Sequence, residues 1–247
     1  MTEALPFPDG GYRFIRGVFP YSAGVAAEPG FEIHRVRFAS PAEVEAGFRR
    51  IEDHLASLGR PVAALCACEL RSPAPFTEAG FAEFNRGYVD RLKQWGLFRD
   101  GTNPVARSNV CPETAPPPAP AFHAFSYTVP GTRGGFIVAG NGEAPEGMSN
   151  YRDHIVRRGD LSLEGMREKV RWVLGEQQRR LKALGVHWGD VTEAQVYTVH
   201  PVFQLASTEL VQRAVMGDSI VWQRCRPPVV DIEFEMDCRG VPVERVL

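Results

Sequence analysis

Leu55-Ala-Ser-Leu-Gly59 and Leu181-Lys-Ala-Leu-Gly185 are one short phrase written twice, half a chain apart. Each closes an amphipathic helical pattern at a glycine, the residue that most readily takes the left-handed backbone of a helix stop. Before the first, Val44, Phe48, Ile51, Leu55 and Leu58 recur at helical spacing; before the second, Leu163, Met166, Val170, Val173, Leu181 and Leu184 do. After each phrase come a β-rich run, a second helical pattern and more strand. A repeat this long is the size of a domain, not of a solenoid unit. The expectation is therefore an α+β chain made of two tandem copies of one small domain.

Working outward, 31–38 reads as a strand, and Ser40-Pro41-Ala42-Glu43 as a capping box with proline at the first helical position. The nearly uncharged 62–70 reads as a buried strand. Thr77 can cap a second helix, with Phe81, Phe84, Tyr88, Leu92 and Trp95 on one stripe and Gly96 at its end. A short strand is expected over 104–112. The proline-rich 112–120 cannot join a sheet and reads as a linker, dividing the chain into domains 1–118 and 119–247. Beyond it, 121–129 and 135–140 could form a hairpin across Pro130-Gly131-Thr132-Arg133-Gly134, and 121–129 is either the last strand of the first copy or the first strand of the second. Ser162 can cap the long helix that follows the polar loop 141–160. Strand, helix and strand are expected over 191–199, 201–216 and 219–225, and 229–238 is a closing strand of strict alternation. The order in each half approximates β-β-α-β-α-β-β. Helices would cover one face of a mixed sheet, and packing through sheets in an oligomer would bury the other.

Composition narrows the function classes. The 247 residues are 44% hydrophobic and 23% charged, as in a soluble globular protein. A net charge of −2 offers no basic footprint for nucleic acid and no polybasic membrane signal. The acidic, Pro/Gly-rich start lacks the features of a signal peptide, and no apolar run approaches a membrane span. The cysteines (66, 68, 111, 225 and 238) are odd in number and form no CxxC pair. Reduced thiols in a cytoplasmic protein are the expectation, and the spacing supports no metal site.

Several residues are candidates for chemistry. Arg107 sits in the otherwise apolar PVARSNV, where a guanidinium fork suits a planar carboxylate; a surface or salt-bridge arginine is the competing reading. In the closing strand, Val230, Ile232, Phe234, Met236 and Cys238 alternate with Asp231, Glu233, Glu235 and Asp237. The acidic row is either a solvated face or the source of a carboxyl group whose proton affinity its neighbours raise. Tyr21 and Tyr127 occupy matching places before turns, to donate to a ligand or simply to pack. Cys111 either lines the Arg107 pocket or acts as a small buried hydrophobe.

The chain resembles, in tandem, the Rid/YjgF/UK114 family of reactive-intermediate deaminases. Pro20-Tyr21-Ser22-Ala23-Gly24-Val25, Phe84-Asn85-Arg86-Gly87-Tyr88 and Pro104-Val105-Ala106-Arg107-Ser108 resemble its PYSxGV, FNxxY and PARS segments. Phe136 to Gly142, Gly189 to Tyr197, and Val230 to Glu235 resemble its SGQ, GDV and closing IE strands. The resemblance implies chorismate-mutase-like domains in trimers with clefts between subunits. It also implies hydrolysis of amino-acid-derived enamines or imines, 2-aminomuconate-like compounds among them, without metal or organic cofactor. Carried over, Arg107 holds the substrate carboxylate, Glu233 assists water, and Gly140 and Tyr21 flank the pocket. The second copy departs from the pattern, with Asp218 where the arginine is expected; the first has no clear match to the glutamate. The expectation is one composite cleft, Arg107 and Tyr21 facing Gly140 and Glu233. The competing functions are a non-catalytic small-carboxylate binder or regulator, and a ribonuclease, which the net charge disfavours.

Overall fold

The fold is that of a computed structural model, with residues 4–211 and 220–247 described. It opens with β1 (Leu5–Phe7), β2 (Tyr12–Ile15), β3 (Gly24–Ala27), β4 (Phe31–Glu43) and α1 (Val44–Ser57). Next come β5 (Leu65–Arg71), α2 (Glu78–Gln94), β6 (Ala106–Pro112), β7 (Ala121–Pro130) and β8 (Phe136–Gly142). The second half holds α3 (Leu163–Leu184), β9 (Glu193–Tyr197), the helical turn α4 (Phe203–Leu205), β10 (Ile220–Gln223), β11 (Cys225–Arg226), β12 (Glu235–Gly240) and β13 (Val243–Val246).

The strands form two mixed sheets. One runs β11-β6-β5-β7-β4-β13, the other β10-β9-β12-β8-β3-β2-β1. Each contains the same four-strand core: a parallel pair (β5 with β6, β9 with β10), then two antiparallel neighbours (β7 and β4; β12 and β8). The repeated phrase marks equivalent places, since α1 and α3 lead into these cores. Gly59 and Gly185 both carry positive φ, +65° and +79°.

The helices lie on the outer faces. Phe48, Ile51 and Leu55 of α1 and Tyr88, Val89 and Leu92 of α2 pack on the six-stranded sheet, around Leu65, Leu70, Phe122 and Phe125. Val170, Val173, Leu174, Leu181 and Leu184 of α3 pack on the seven-stranded sheet, around Val138, Val196, Phe234 and Met236. The inner faces meet through Tyr12, Phe14, Val25, Ile33, Cys66, Ala67, Ala106 and Ala139. The burial that the sequence assigned to a subunit contact is thus met within one chain.

Strand membership crosses the expected 118/119 division in both directions. β7 lies in the six-stranded sheet, β1–β3 lie in the seven-stranded one, and β13 returns to pair parallel with β4. The proline-rich segment therefore joins two strands of one sheet rather than two domains, and β7 and β8 pair in different sheets instead of as a hairpin. Ser40-Pro41-Ala42-Glu43 is the end of β4, not a capping box; Glu43 precedes α1 without a side-chain cap. There the pairing of Ala42 and Glu43 with Phe122 and Ala121 outweighs local capping preference. Thr77 and Ser162 do cap α2 and α3, each accepting from a glycine N–H three residues on. Of the helix expected over 201–216, α4 and a π-helical Ala206–Val211 are seen; Asp218 lies outside the described residues.

A buried ion pair fixes the segment that follows β8. Lys169 of α3 donates to Glu143 Oε1 at 3.1 Å and to the Val156 carbonyl at 2.7 Å, and both side chains are fully buried. The Glu143 carboxylate also accepts the N–H groups of Glu233 and Phe234 at 2.8 and 3.0 Å. Removing one partner of such a pair strands a charge in the interior. Lys169→Met is expected to cost roughly 3–5 kcal/mol in urea denaturation; a loss under about 1 kcal/mol would show that the pair is dispensable.

Candidate active site

A cleft enclosing about 440 Å³, its mouth included, opens where β6 of one sheet meets β8 and β12 of the other. Arg107 and Asn109 come from β6, Gly140 and Asn141 from β8, and Glu235 from the first position of β12. Tyr21 closes one side. Phe81 of α2, Ala144, Val229 and Ile232 form an apolar wall, with Tyr151 and Glu146 over the top.

Alternation along β6 sends Arg107 toward α2. There Asn85 Oδ1 accepts from its Nη2 at 2.6 Å. Four rings surround the guanidinium: Tyr88 and Tyr21 have centroids 4.7 and 4.9 Å from Cζ, Phe84 and Phe81 5.7 and 5.8 Å. Aromatic faces stabilise a cation without neutralising it. Arg107 is 2% exposed and has no carboxylate partner among the described residues. Its Nη1 is a buried donor with no acceptor, and so is Asn109 Nδ2 two residues along the same strand face. Burial pulls the guanidinium's proton affinity down, yet an arginine stays charged in proteins. The cleft thus presents one cation and two unfilled donors.

Two carboxyl groups share the cleft. Glu146 accepts from the Tyr21 hydroxyl at 3.1 Å and pairs with the buried Arg180 at 3.1 Å. Glu235 is different. Burial, and then the negative charge of Asp237, Glu146 and Glu143, push its carboxyl well above the usual range, against a lowering from Arg180. Its protonated form is favoured relative to that of an ordinary glutamate. Gly140 makes room for it: a Cβ there would overlap Glu235 Oε1.

The structure brings Arg107, Tyr21 and Gly140 together, and it leaves Glu233, Tyr127 and Cys111 out of the cleft lining. Glu233 fails because 229–234 is not strand. Asp231 takes φ +72° in a turn, and β12 begins only at Glu235. The Glu233 carboxylate is drawn to His200 Nε2, 2.7 Å away. Alternation put Glu233, Glu235 and Asp237 on one side, but where the strand starts decides which of them reaches the cleft. Tyr127 lies under α1, bonded to His54 at 3.0 Å and packed on Phe125. Cys111 shares the Arg107 face of β6 by alternation but is buried where β11 pairs with β6, opposite Arg226; burial pushes its thiol up to about 12. Asn109 and Glu146 also line the cleft and were not among the candidates read from sequence. Asn109 was findable by period two from Arg107; Glu146, in an irregular loop, carried no signal.

Comparison with known proteins gives the family. The family model for the 2-aminomuconate deaminase CnbZ matches residues 4–245. A protein of Comamonas testosteroni named 2-amino-5-chloromuconate deaminase is 49% identical over 251 residues, spanning the whole of both chains. Among solved structures, a chorismatase aligns with a TM-score of 0.50 at 12% identity, over 92% of this chain and 79% of that one; the likeness is one of fold. The YjgF gene product of E. coli covers 44% of this chain and 80% of its own, with a TM-score of 0.28 and 16% identity. The motifs resembled the Rid family; the family that the whole length matches is a more specific one, and the chain belongs to the CnbZ family of 2-aminomuconate deaminases.

Proposed function

We propose that the chain hydrolyses the C–N bond of a 2-aminomuconate-type enamine, an unsaturated dicarboxylate with an amino group beside one carboxylate, giving the 2-oxo acid and ammonia. The observation that carries this reading is the buried, unpaired edge of Arg107 beside the unpaired Asn109 amide. A desolvated cation with free donors is satisfied by an anion, and a planar carboxylate suits this pair. The name of the full-length relative supports the aminomuconate class. The apolar wall of Phe81, Ala144, Val229 and Ile232 suits the hydrocarbon part of such a molecule.

With the carboxylate clamped, the adjoining nitrogen-bearing carbon faces Glu235. The protonated carboxyl gives its proton to the enamine carbon, and the nitrogen becomes an iminium. The carboxylate so formed takes a proton from water as the water oxygen bonds to the C=N carbon. Glu235 then passes that proton to the amino nitrogen, and the C–N bond breaks. Ammonia leaves, and the remaining hydroxyl proton returns to Glu235. Proximity supplies much of the gain, because water, acid and electrophile meet in one fixed cleft.

The test is ammonia release from freshly generated 2-aminomuconate and from 2-iminopropanoate. The expected result is equimolar ammonia and oxo acid above the spontaneous rate, with 2-aminomuconate preferred. No release above the spontaneous rate from either compound would overturn the reading.

A further inference from the structure

Behind the cleft, between the two sheets, lies a polar cluster that the proposed reaction does not use. Ser108 follows Arg107 on β6 and turns the other way, into the gap between the sheets. Its hydroxyl donates to Asp237 Oδ2 at 2.6 Å and accepts the Gly140 N–H at 3.1 Å. Tyr197 of β9 donates to the same Asp237 oxygen at 2.8 Å. All of these side chains are buried. A buried carboxylate between two sheets is costly, and an isosteric amide would avoid the charge.

The backbone explains what the cluster does. β8 and β12 lose register between Met236 and Cys238, so Ala139 and Gly140 together oppose Asp237 alone. This β-bulge frees the Gly140 N–H from the ladder, and Ser108 takes it up. The bulged glycine is the residue against which Glu235 Oε1 rests. Asp237 sits two positions from Glu235 on the same strand, so its charge stands behind the acid.

We infer that Ser108 and Asp237, steadied by Tyr197, are positioning residues for Glu235: they hold the β8 bulge under it and keep a negative charge beside it. The inference rests on the deaminase reading for its kinetic consequence only. The titratable groups facing Glu235 are Asp237 on its own strand, Glu143 and Glu146 after β8, Arg180 of α3, Cys111 of β6, Cys225 of β11 and Tyr151, with Arg107 and Tyr21 lining the same cleft. Of these, Asp237 is the one in the cluster. Burial and Glu69 raise its own carboxyl to about 6, so it is charged above that pH. Its charge disfavours ionisation of Glu235; removing the charge therefore lets Glu235 lose its proton at lower pH.

The experiment compares Asp237→Asn, Ser108→Ala and Ser108→Thr by kinetics and by infrared difference titration of the Glu235 carboxyl, assigned with Glu235→Gln. Asp237→Asn is expected to lower kcat about tenfold to a hundredfold with little change in KM, since Arg107 is untouched. The basic limb of its pH–rate profile and the Glu235 titration should both move to lower pH. Ser108→Ala should lower kcat similarly with the limb moving less, and Ser108→Thr should restore most of the rate. A Glu235 titration identical in Asp237→Asn and the parent overturns the inference. So does a Ser108→Ala enzyme with parental kcat. Absence of turnover in the parent itself fails the deaminase reading instead, and the infrared titration still decides the positioning role.

Discussion

Replacing Arg107 by alanine is expected to lower kcat/KM for a carboxylate-bearing enamine by roughly a thousandfold. Truncating one side of a buried, hydrogen-bonded charge pair typically costs 2–5 kcal/mol or more, and here the other side is the substrate. Arg107→Lys keeps a charge but loses the fork, and Asn85 loses its 2.6 Å donor; the expected defect is intermediate and lies mostly in KM. Stability should move the other way. In the empty site Arg107 is a buried cation with a free donor inside an aromatic cage. Arg107→Met fills the cage without the charge, so its urea midpoint is expected to match or exceed that of the parent. A variant that keeps its activity, or one that unfolds readily, would show Arg107 to be structural.

The second large effect is expected at Glu235. Glu235→Gln keeps the shape but holds no transferable acid proton, and kcat should fall by about 10²–10⁴. KM should change little, because the carboxylate clamp lies on the other sheet. The same substitution has a signature in stability. The folded-state affinity of Glu235 for its proton is raised above the unfolded value, with burial as the first cause. Its contribution is therefore full below the unfolded-state pKa and is lost as pH rises through the folded-state one. The parent should lose stability across that window relative to Glu235→Gln, measured as the difference between their urea midpoints from pH 4 upward. Parallel profiles would mean that Glu235 is not held protonated. Gly140→Ala offers an independent check, since its Cβ would displace the Glu235 carboxyl from its rest position.

The parts of the site legible from sequence were those whose neighbours in the chain fixed their direction. Arg107 rides one short strand whose period of two fixes its face, and the same period places Asn109, not singled out from sequence, beside it. Tyr21 and Gly140 were carried by motifs. Glu235 was visible only as one of four alternating acids, because alternation does not say where a strand begins. That start is set by contacts from elsewhere: Glu143 takes the N–H groups of residues 233 and 234, and His200 takes the Glu233 side chain.

The amino-acid sequence by itself determined the elements that local pattern controls: the helices ending at Gly59, Gly96 and Gly185, and the caps at Thr77 and Ser162. Only the tertiary structure decided which strands belong together. β7 joined the first sheet, β1–β3 the second, and β13 returned to the first. The reason is that strand pairing is a long-range choice, made by whichever edge offers matching hydrogen bonds and an apolar face. The candidate cleft inherits that choice, because its cation and its carboxyl group sit on strands of different sheets.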